Sequence, residues 1–283
     1  MVTLNAKIKT AEHVSDDVLR RAMNTAFSDY AVPMELSGRA FALMMQQRRL
    51  SRAASRVAII GGDVVAIWLM SVRGRRAYLI SSGTCPEFRR QGLARQLGQD
   101  CLVGLINEHI TNFQTEVLTS NKRAFDLYAA LGTAITRQLE CYELPSLPGS
   151  PRHDVRQSPW AEVKGEAHTL AEVLPSWQNS FGAIAAIAND VKCWTVSDAR
   201  GLAGYAVVAP ETRTLVQIGV RKDRRCEGVA QSLIKACHPG DKLHLLNVDA
   251  QSEEFRAFLQ AIGAEPTVSQ FELSMRITDA IER

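Results

Sequence analysis

The sequence predicts an α/β protein in which one domain design occurs twice. Three observations carry this expectation. First, "GTCPEFRRQGLARQL" (Gly83–Leu97) and "GVRKDRRCEGVAQSL" (Gly219–Leu233) share one skeleton: a glycine, basic residues, a Gly-x-Ala step, then apolar residues at helical spacing. Second, strand-like and helix-like segments recur in the same order around both stretches. Third, "LPSLPGSPRHDVRQSPW" (Leu144–Trp160) holds four prolines and one glycine without periodicity, the composition of a linker. A length of 283 residues suits two domains of ordinary size. The expected limits are a first domain over 1–145, a linker over 146–160 and a second domain over 161–283.

In the first half, Ser15 is placed to cap a helix whose first turn carries Asp16 and Asp17, and Ser37 to cap a second. "SRVAII", the turn "GGD" and "VVAIWLMS" read as a hairpin, and "AYLISSGT" as the next strand. From Gly92 to about His109, Leu93, Leu97, Cys101 and Leu105 recur at every fourth position, the buried stripe of a helix. "FQTEVL" reads as a short strand. "NKRAFDLYAAL" reads as a helix that Asn121 caps and Gly132 stops, and "AITRQLECYEL" closes the half as a strand. In the second half, "LAEVLPSWQNSFGAIAAIA" is helical in parts, and "CWTV", "LAGYAVV" and "TLVQIGV" are strands. Val229, Leu233 and Cys237 line the next helix. A strand "LHLLNV", a helix "EEFRAFLQAI" stopped by Gly263 and a strand around "SQFELSM" complete the repeat.

Composition narrows the function classes. A net charge of +3, with no aromatic platform or recognition-helix pattern, gives no basis for nucleic acid as a partner. No run of 18 apolar residues is present, so no membrane span is expected. The first residues lack the apolar core of a signal peptide. The six cysteines are scattered without a C-x-x-C pair and read as reduced thiols of a cytoplasmic protein. The six histidines form no metal-ligand spacing, so no metal is expected.

The repeated loop has a physical purpose. A strand that enters a helix through a short loop leaves the first helical N–H groups unpaired, and these with the helix dipole attract an anion. Gly92 lets that anion approach the backbone, Ala94 keeps the next turn slim, and Arg89, Arg90 and Arg95 add attraction. The chemistry suggested is binding of a phosphate or pyrophosphate. The absence of Gly-Lys-Ser/Thr and of G-x-G-x-x-G argues against a P-loop and a dinucleotide fold.

On these residues the chain resembles the GNAT superfamily of acetyl-CoA-dependent N-acetyltransferases, present twice. "TCPEFRRQGLA" resembles the pyrophosphate loop. "EVLTSNKRAFDLYAALG" is similar to the strand–helix pair of ribosomal-protein amino-terminal acetyltransferases, and "AFSDYAVPM" and "PSWQNSF" resemble a bacterial tandem group. The resemblance implies two GNAT-like domains, each a mixed, mostly antiparallel sheet splayed near its middle and flanked by helices. It implies acetyl-CoA as donor substrate, an amine acceptor as partner, and a monomer or homodimer. Gly83, Thr84 and Cys85 would offer backbone groups to the pantetheine and the thioester carbonyl. Arg89, Arg90, Gln91, Gly92, Leu93 and Ala94 would hold the pyrophosphate, and Asn121 would contact the cofactor arm. Tyr128 would protonate the leaving thiolate, and Glu116 would act as base, directly or through water. Asp29 would neutralise a cationic acceptor, with Tyr30 and Met34 as walls.

These residue types suit the chemistry. An alkylammonium, with a reference pKa of about 10.4, must lose a proton before it can attack. The tetrahedral oxyanion needs a donor, and a phenol with a reference pKa of about 10 stays protonated at neutral pH to serve the leaving thiolate. The competing readings are a core tyrosine for Tyr128 and an outward-facing strand residue for Glu116. Aligned on Gly132 and Gly263, Glu116 and Tyr128 correspond to Asn247 and Leu259, neither of which can do acid–base work. Gln91 becomes Glu227 and Arg95 becomes Gln231. The second half is therefore expected to be a degenerate copy. A non-catalytic acetyl-CoA-binding regulator, or catalysis in the second half, are the alternatives.

Overall fold

A computed structural model describes residues 6–29, 35–170, 174–238, 240 and 242–277. The chain divides into two compact units, Met1–Thr136 with Phe271–Arg283, and Arg137–Gln270.

Unit 1 contains β1 (Lys7–Thr10), α1 (Asp16–Ala26), α2 (Gly38–Arg48), β2 (Leu50–Ile60), β3 (Asp63–Arg73), β4 (Arg76–Thr84), α3 (Leu93–Asn107), β5 (Asn112–Leu118) and α4 (Lys122–Ala130). β6 (Ala134–Leu144) starts in this unit and continues in the other. The capping residues act as their chemistry dictates: Ser15, Ser37 and Asn121 accept from the N–H groups of Val18, Ala40 and Ala124. The short β1, invisible to periodicity, pairs antiparallel with β2. One face of the sheet packs on α3 and α4 through Trp68, Leu97, Leu105, Phe113 and Tyr128. The other packs on α1 and α2 through Leu19, Met23, Phe41, Ile67 and Leu69.

Unit 2 contains β7 (Arg156–Ser158), α5 (Trp160–Leu170), α6 (Phe181–Ala186), β8 (Lys192–Asp198), β9 (Gly201–Ala209), β10 (Thr214–Val220), α7 (Val229–Cys237), β11 (Leu243–Asp249) and α8 (Glu253–Ala261), followed by β12 (Glu265–Arg276). β7 falls inside the stretch read as linker, and α5 begins directly behind Pro159.

The units part at a place the sequence did not suggest. Strand order in unit 1 is β1-β2-β3-β4-β5-β12, and in unit 2 β6-β11-β10-β9-β8-β7. The parallel pair β4–β5 is thus flanked by the last strand of the chain, and the parallel pair β10–β11 by β6. The contacts consequently divide at 136/137 and 270/271, within β6 and β12, and not at 145/146.

Candidate active site

In unit 1 the site begins with a defect in the sheet. The parallel ladder between β4 and β5 pairs Arg76, Ala77 and Tyr78 with Asn112, Phe113 and Gln114, and then stops. Leu79–Thr84 and Thr115–Leu118 therefore diverge, leaving a gap with unladdered backbone on its sides. A bulge sits beside it. Met70 pairs with Leu79 but Leu69 pairs with Ser81, so β4 carries one extra residue. The extra residue reverses the alternation of side chains. Ser82 comes to lie opposite Trp68, on the face covered by α3 and α4.

Tyr128 meets that position from α4. Its ring packs edge-on to Trp68, centroids 5.9 Å apart, and is 5% exposed. Its hydroxyl is 2.8 Å from the Ser82 hydroxyl. The phenol is thus a core ring whose polar end reaches the gap.

Glu116 lies on β5 with the opposite facing. Phe113, Thr115 and Val117 are buried, while Gln114 and Glu116 alternate with them and are half-buried. The Tyr78 hydroxyl donates to Glu116 Oε2 at 3.0 Å. Burial pushes the Tyr78 phenol well above its usual pKa, and the Glu116 charge adds to this, so Tyr78 remains a donor. Gln114 Nε2 donates to Glu272 Oε2 at 2.8 Å, and the Thr136 hydroxyl donates to Glu272 Oε1 at 3.2 Å. Glu272 arrives on β12. Tyr128 and Glu116 thus approach the gap from opposite faces of the sheet.

The loop from β4 to α3 has a shape that repeats in unit 2. Arg90 has φ +66° and Gly92 φ +78°; Cys226 has φ +60° and Gly228 φ +84°. Gly92 and Gly228 are the N-cap residues of α3 and α7, and neither helix has a side-chain cap, so the first helical N–H groups face outward. In unit 1 the mouth is open: Arg90, Gln91, Gly92 and Arg95 are exposed, and Arg90 and Arg95 form no ion pair among the described residues. A Cβ on Gly92 would meet nothing nearer than Gln96 Nε2 at 4.0 Å. Leu93 drops its side chain into the core and Ala94 is half-buried, leaving their backbone at the mouth.

Several expected roles change. Arg89 does not face the loop mouth. Its guanidinium holds both Asp29 oxygens at 2.6 and 2.7 Å, the Ala26 carbonyl at 2.9 Å and the Thr84 carbonyl at 3.1 Å. Arg89 therefore ties the loop to the end of α1, and the Asp29 charge assigned above to an acceptor is matched within the protein. The guanidinium holds the Asp29 carboxyl below its usual range. Cys85 offers no free backbone: its N–H donates to the Val65 carbonyl at 2.8 Å and its carbonyl accepts from Phe88 at 2.9 Å. In an antiparallel ladder that pairing turns the Gly83 backbone towards Ile67 and the Ser82 and Thr84 backbones towards the gap. Gly83 is glycine for packing, since a Cβ there would lie 2.8 Å from Ala26 Cβ. The Asn121 side chain caps α4 at 3.1 Å. Tyr30 and Met34 lie outside the described residues.

Sequence reasoning missed Tyr78, Ser82 and Glu272. The spacing of Ser82 gave no signal, because a strand read at period two puts it on the wrong face until the bulge is known.

Unit 2 repeats the frame without the groups. The ladder of β10 with β11 covers Thr214 and Leu215, and β10 has its extra residue at Val216. Ile218 stands at the Ser82 position and Leu259 at that of Tyr128. Counted back from Gly263, Asn247 matches Glu116, whereas counted from the β10–β11 ladder Leu246 does, because β11 carries an extra residue between Leu245 and Val248. Leu259 is in the core, and Asn247 Oδ1 accepts from Gln270 at 2.8 Å. The loop mouth is covered by chain. The Arg152 N–H donates to Ser232 Oγ at 3.0 Å, and His153 Nε2 lies 2.9 Å from the Glu227 carbonyl. Arg152 Cδ lies 3.8 Å from where a Cβ on Gly228 would be. Ser232 is 1% exposed, whereas its counterpart Gln96 is exposed. Glu227 pairs with Arg224 at 3.1 Å.

Among the described residues, no cluster of His, Cys, Asp or Glu is placed to hold a metal ion, and no helix is long and apolar enough to cross a membrane.

A splayed parallel pair, a bulged central strand and an arginine-glycine loop at a helix N-terminus, all present twice, define a tandem GNAT-like α/β fold. Residues 20–133 match the model of the acetyltransferase (GNAT) family. A GCN5-related N-acetyltransferase from Sphaerobacter thermophilus superposes with a TM-score of 0.70 at 14% identity, covering 96% of both chains. A tandem GNAT protein from the clavulanic acid biosynthesis pathway superposes with a TM-score of 0.68 at 14% identity, covering 96% of this chain and 99% of that one. No curated protein matches the chain by sequence.

Proposed function

We propose that unit 1 moves an acetyl group from acetyl-CoA to a primary amine, of a small molecule or of a protein or peptide, by direct attack. Unit 2 is then a non-catalytic copy. One observation carries the proposal: the Tyr128 hydroxyl reaches the gap between the splayed strands, 2.8 Å from Ser82 on the strand that feeds the open loop. The pyrophosphate binds the outward N–H groups at the start of α3, with Arg90 and Arg95 beside it. The thioester lies in the gap, where the Thr84 N–H is turned to meet the developing oxyanion. Glu116 takes the amine proton, directly or through water, from one face. Tyr128 gives a proton to the departing thiolate from the other. In unit 2 leucine replaces the acid, Leu246 and Asn247 stand where the base would be, and Arg152 and His153 occupy the approach to Gly228.

A panel of small amines and peptide amino termini, read by release of free coenzyme A, tests this reading. Turnover with at least one acceptor class, lost in Tyr128→Phe, is expected. Acetyl-CoA binding without turnover on any acceptor would favour a non-catalytic binder instead.

A further inference from the structure

The structure places the Ser82 hydroxyl against the Tyr128 phenol, and it is there because of the bulge in β4. Without the extra residue near Ile80, the side chain at 82 would face α1 and α2. Unit 2 keeps the bulge but holds Ile218 at the Ser82 position and Leu259 at the Tyr128 position, so the hydroxyl pair is absent as a pair.

We propose that Ser82 is a positioning residue for proton donation by Tyr128, donating its own hydroxyl hydrogen to the phenol oxygen. This rests on Tyr128 being the acid of the proposed reaction.

The chemistry of the contact is directional. Either oxygen of the pair can donate. If Tyr128 donates to Ser82, its proton is turned away from the thioester. If Ser82 donates, the Tyr128 hydrogen is not spent on Ser82 and can be given to sulfur. As the carbon–sulfur bond breaks, the electron pair goes to sulfur, the Tyr128 O–H bond breaks and an S–H bond forms on coenzyme A. The phenolate left behind sits 5% exposed in the ring cluster with Trp68, where an anion is costly without a donor. The Ser82 O–H supplies that donor as a charge-assisted bond. The phenolate regains a proton from solvent after the products leave. Ser82 therefore acts most strongly when charge is on Tyr128, which is a transition-state contribution.

The test uses the full chain with an acceptor found by the amine panel. Ser82→Ala should lower kcat about tenfold or more, as expected for loss of a hydrogen bond to a developing charge, with the KM for acetyl-CoA nearly unchanged. Its pH profile should lose activity at higher pH than the parent, because a phenolate without its donor forms less readily. Ser82→Thr, which keeps the hydroxyl, should restore most of the rate. In a Tyr128→Phe background, Ser82→Ala should cost nothing further. Parent-like kcat in Ser82→Ala, an unmoved alkaline limb, or an equal loss in the Tyr128→Phe background would each overturn the role given to Ser82. Unchanged turnover in Tyr128→Phe alone, with chemistry rate-limiting, overturns the acid assignment itself, and the two failures are told apart by that single variant.

Discussion

Gly92→Ala and Gly228→Ala form a matched pair that separates the two loops. Both glycines are helix N-caps in the left-handed region, at φ +78° and +84°. An added Cβ meets nothing closer than 4.0 Å at Gly92 and 3.8 Å at Gly228, so neither substitution makes a clash. What remains is backbone strain, roughly 1–2 kcal/mol for a residue with a Cβ held left-handed. Each variant should therefore melt a few degrees lower, by about the same amount. Binding should differ. At Gly92 the new methyl stands in the open mouth, between the phosphate and the first N–H groups of α3. Losing one hydrogen bond to a charged group costs about 1.5–3 kcal/mol, a rise in the Kd for acetyl-CoA of roughly 10- to 100-fold. At Gly228 the approach is already taken by Arg152, and the Kd should not move. Titration calorimetry with acetyl-CoA, beside differential scanning calorimetry, reads both quantities, and the parent should show one tight site per chain. If Gly228→Ala weakens binding as much as Gly92→Ala does, or if Gly92→Ala melts lower but binds normally, the assignment of the open cradle to unit 1 is refuted.

Three further outcomes follow from the geometry. Tyr128→Phe keeps the ring against Trp68 and removes only the proton donor, so kcat should fall about 10²–10⁴-fold while acetyl-CoA affinity stays within a fewfold, by steady-state kinetics and calorimetry. Gly83→Ala should cost about 1–3 kcal/mol, because its Cβ would lie 2.8 Å from Ala26 Cβ and α1 must shift; a melting temperature equal to the parent's contradicts that packing. Burial raises the thiols of Cys101 and Cys237 to about 12 and that of Cys193 to about 11, whereas Cys226 is exposed. The folded protein therefore keeps those three protonated where an unfolded chain ionises them, near pH 8.5. Their contribution to stability is complete below that pH and is lost as pH rises towards 11–12. At pH 8, one thiol, Cys226, should react quickly with a disulfide reagent, and fast labelling of Cys101 without unfolding would contradict its burial.

Local features were legible in the residues. Caps at Ser15, Ser37 and Asn121, stops at Gly132 and Gly263, and the apolar stripe from Leu93 to Leu105 are properties of single segments, and each segment folds as its own chemistry dictates. The repeat, the arginine-glycine loop and the loss of Tyr128 and Glu116 equivalents in the second half needed only alignment of the chain with itself. Tertiary structure decided the rest, because it depends on which segments become neighbours. β6 and β12 carry the same alternation whichever sheet receives them, so nothing in their residues shows that β12 flanks β5 and brings Glu272 beside Gln114. Arg89 looks like a phosphate ligand until Asp29 and the end of α1 come within reach and take its donors. A proline-rich stretch reads as a linker, and only packing shows Arg152 and His153 bonded to the mouth of the second loop. Ser82 reaches Tyr128 because one extra residue in β4 shifts the strand's facing. A bulge is set by pairing between strands, and no single strand's sequence carries that pairing.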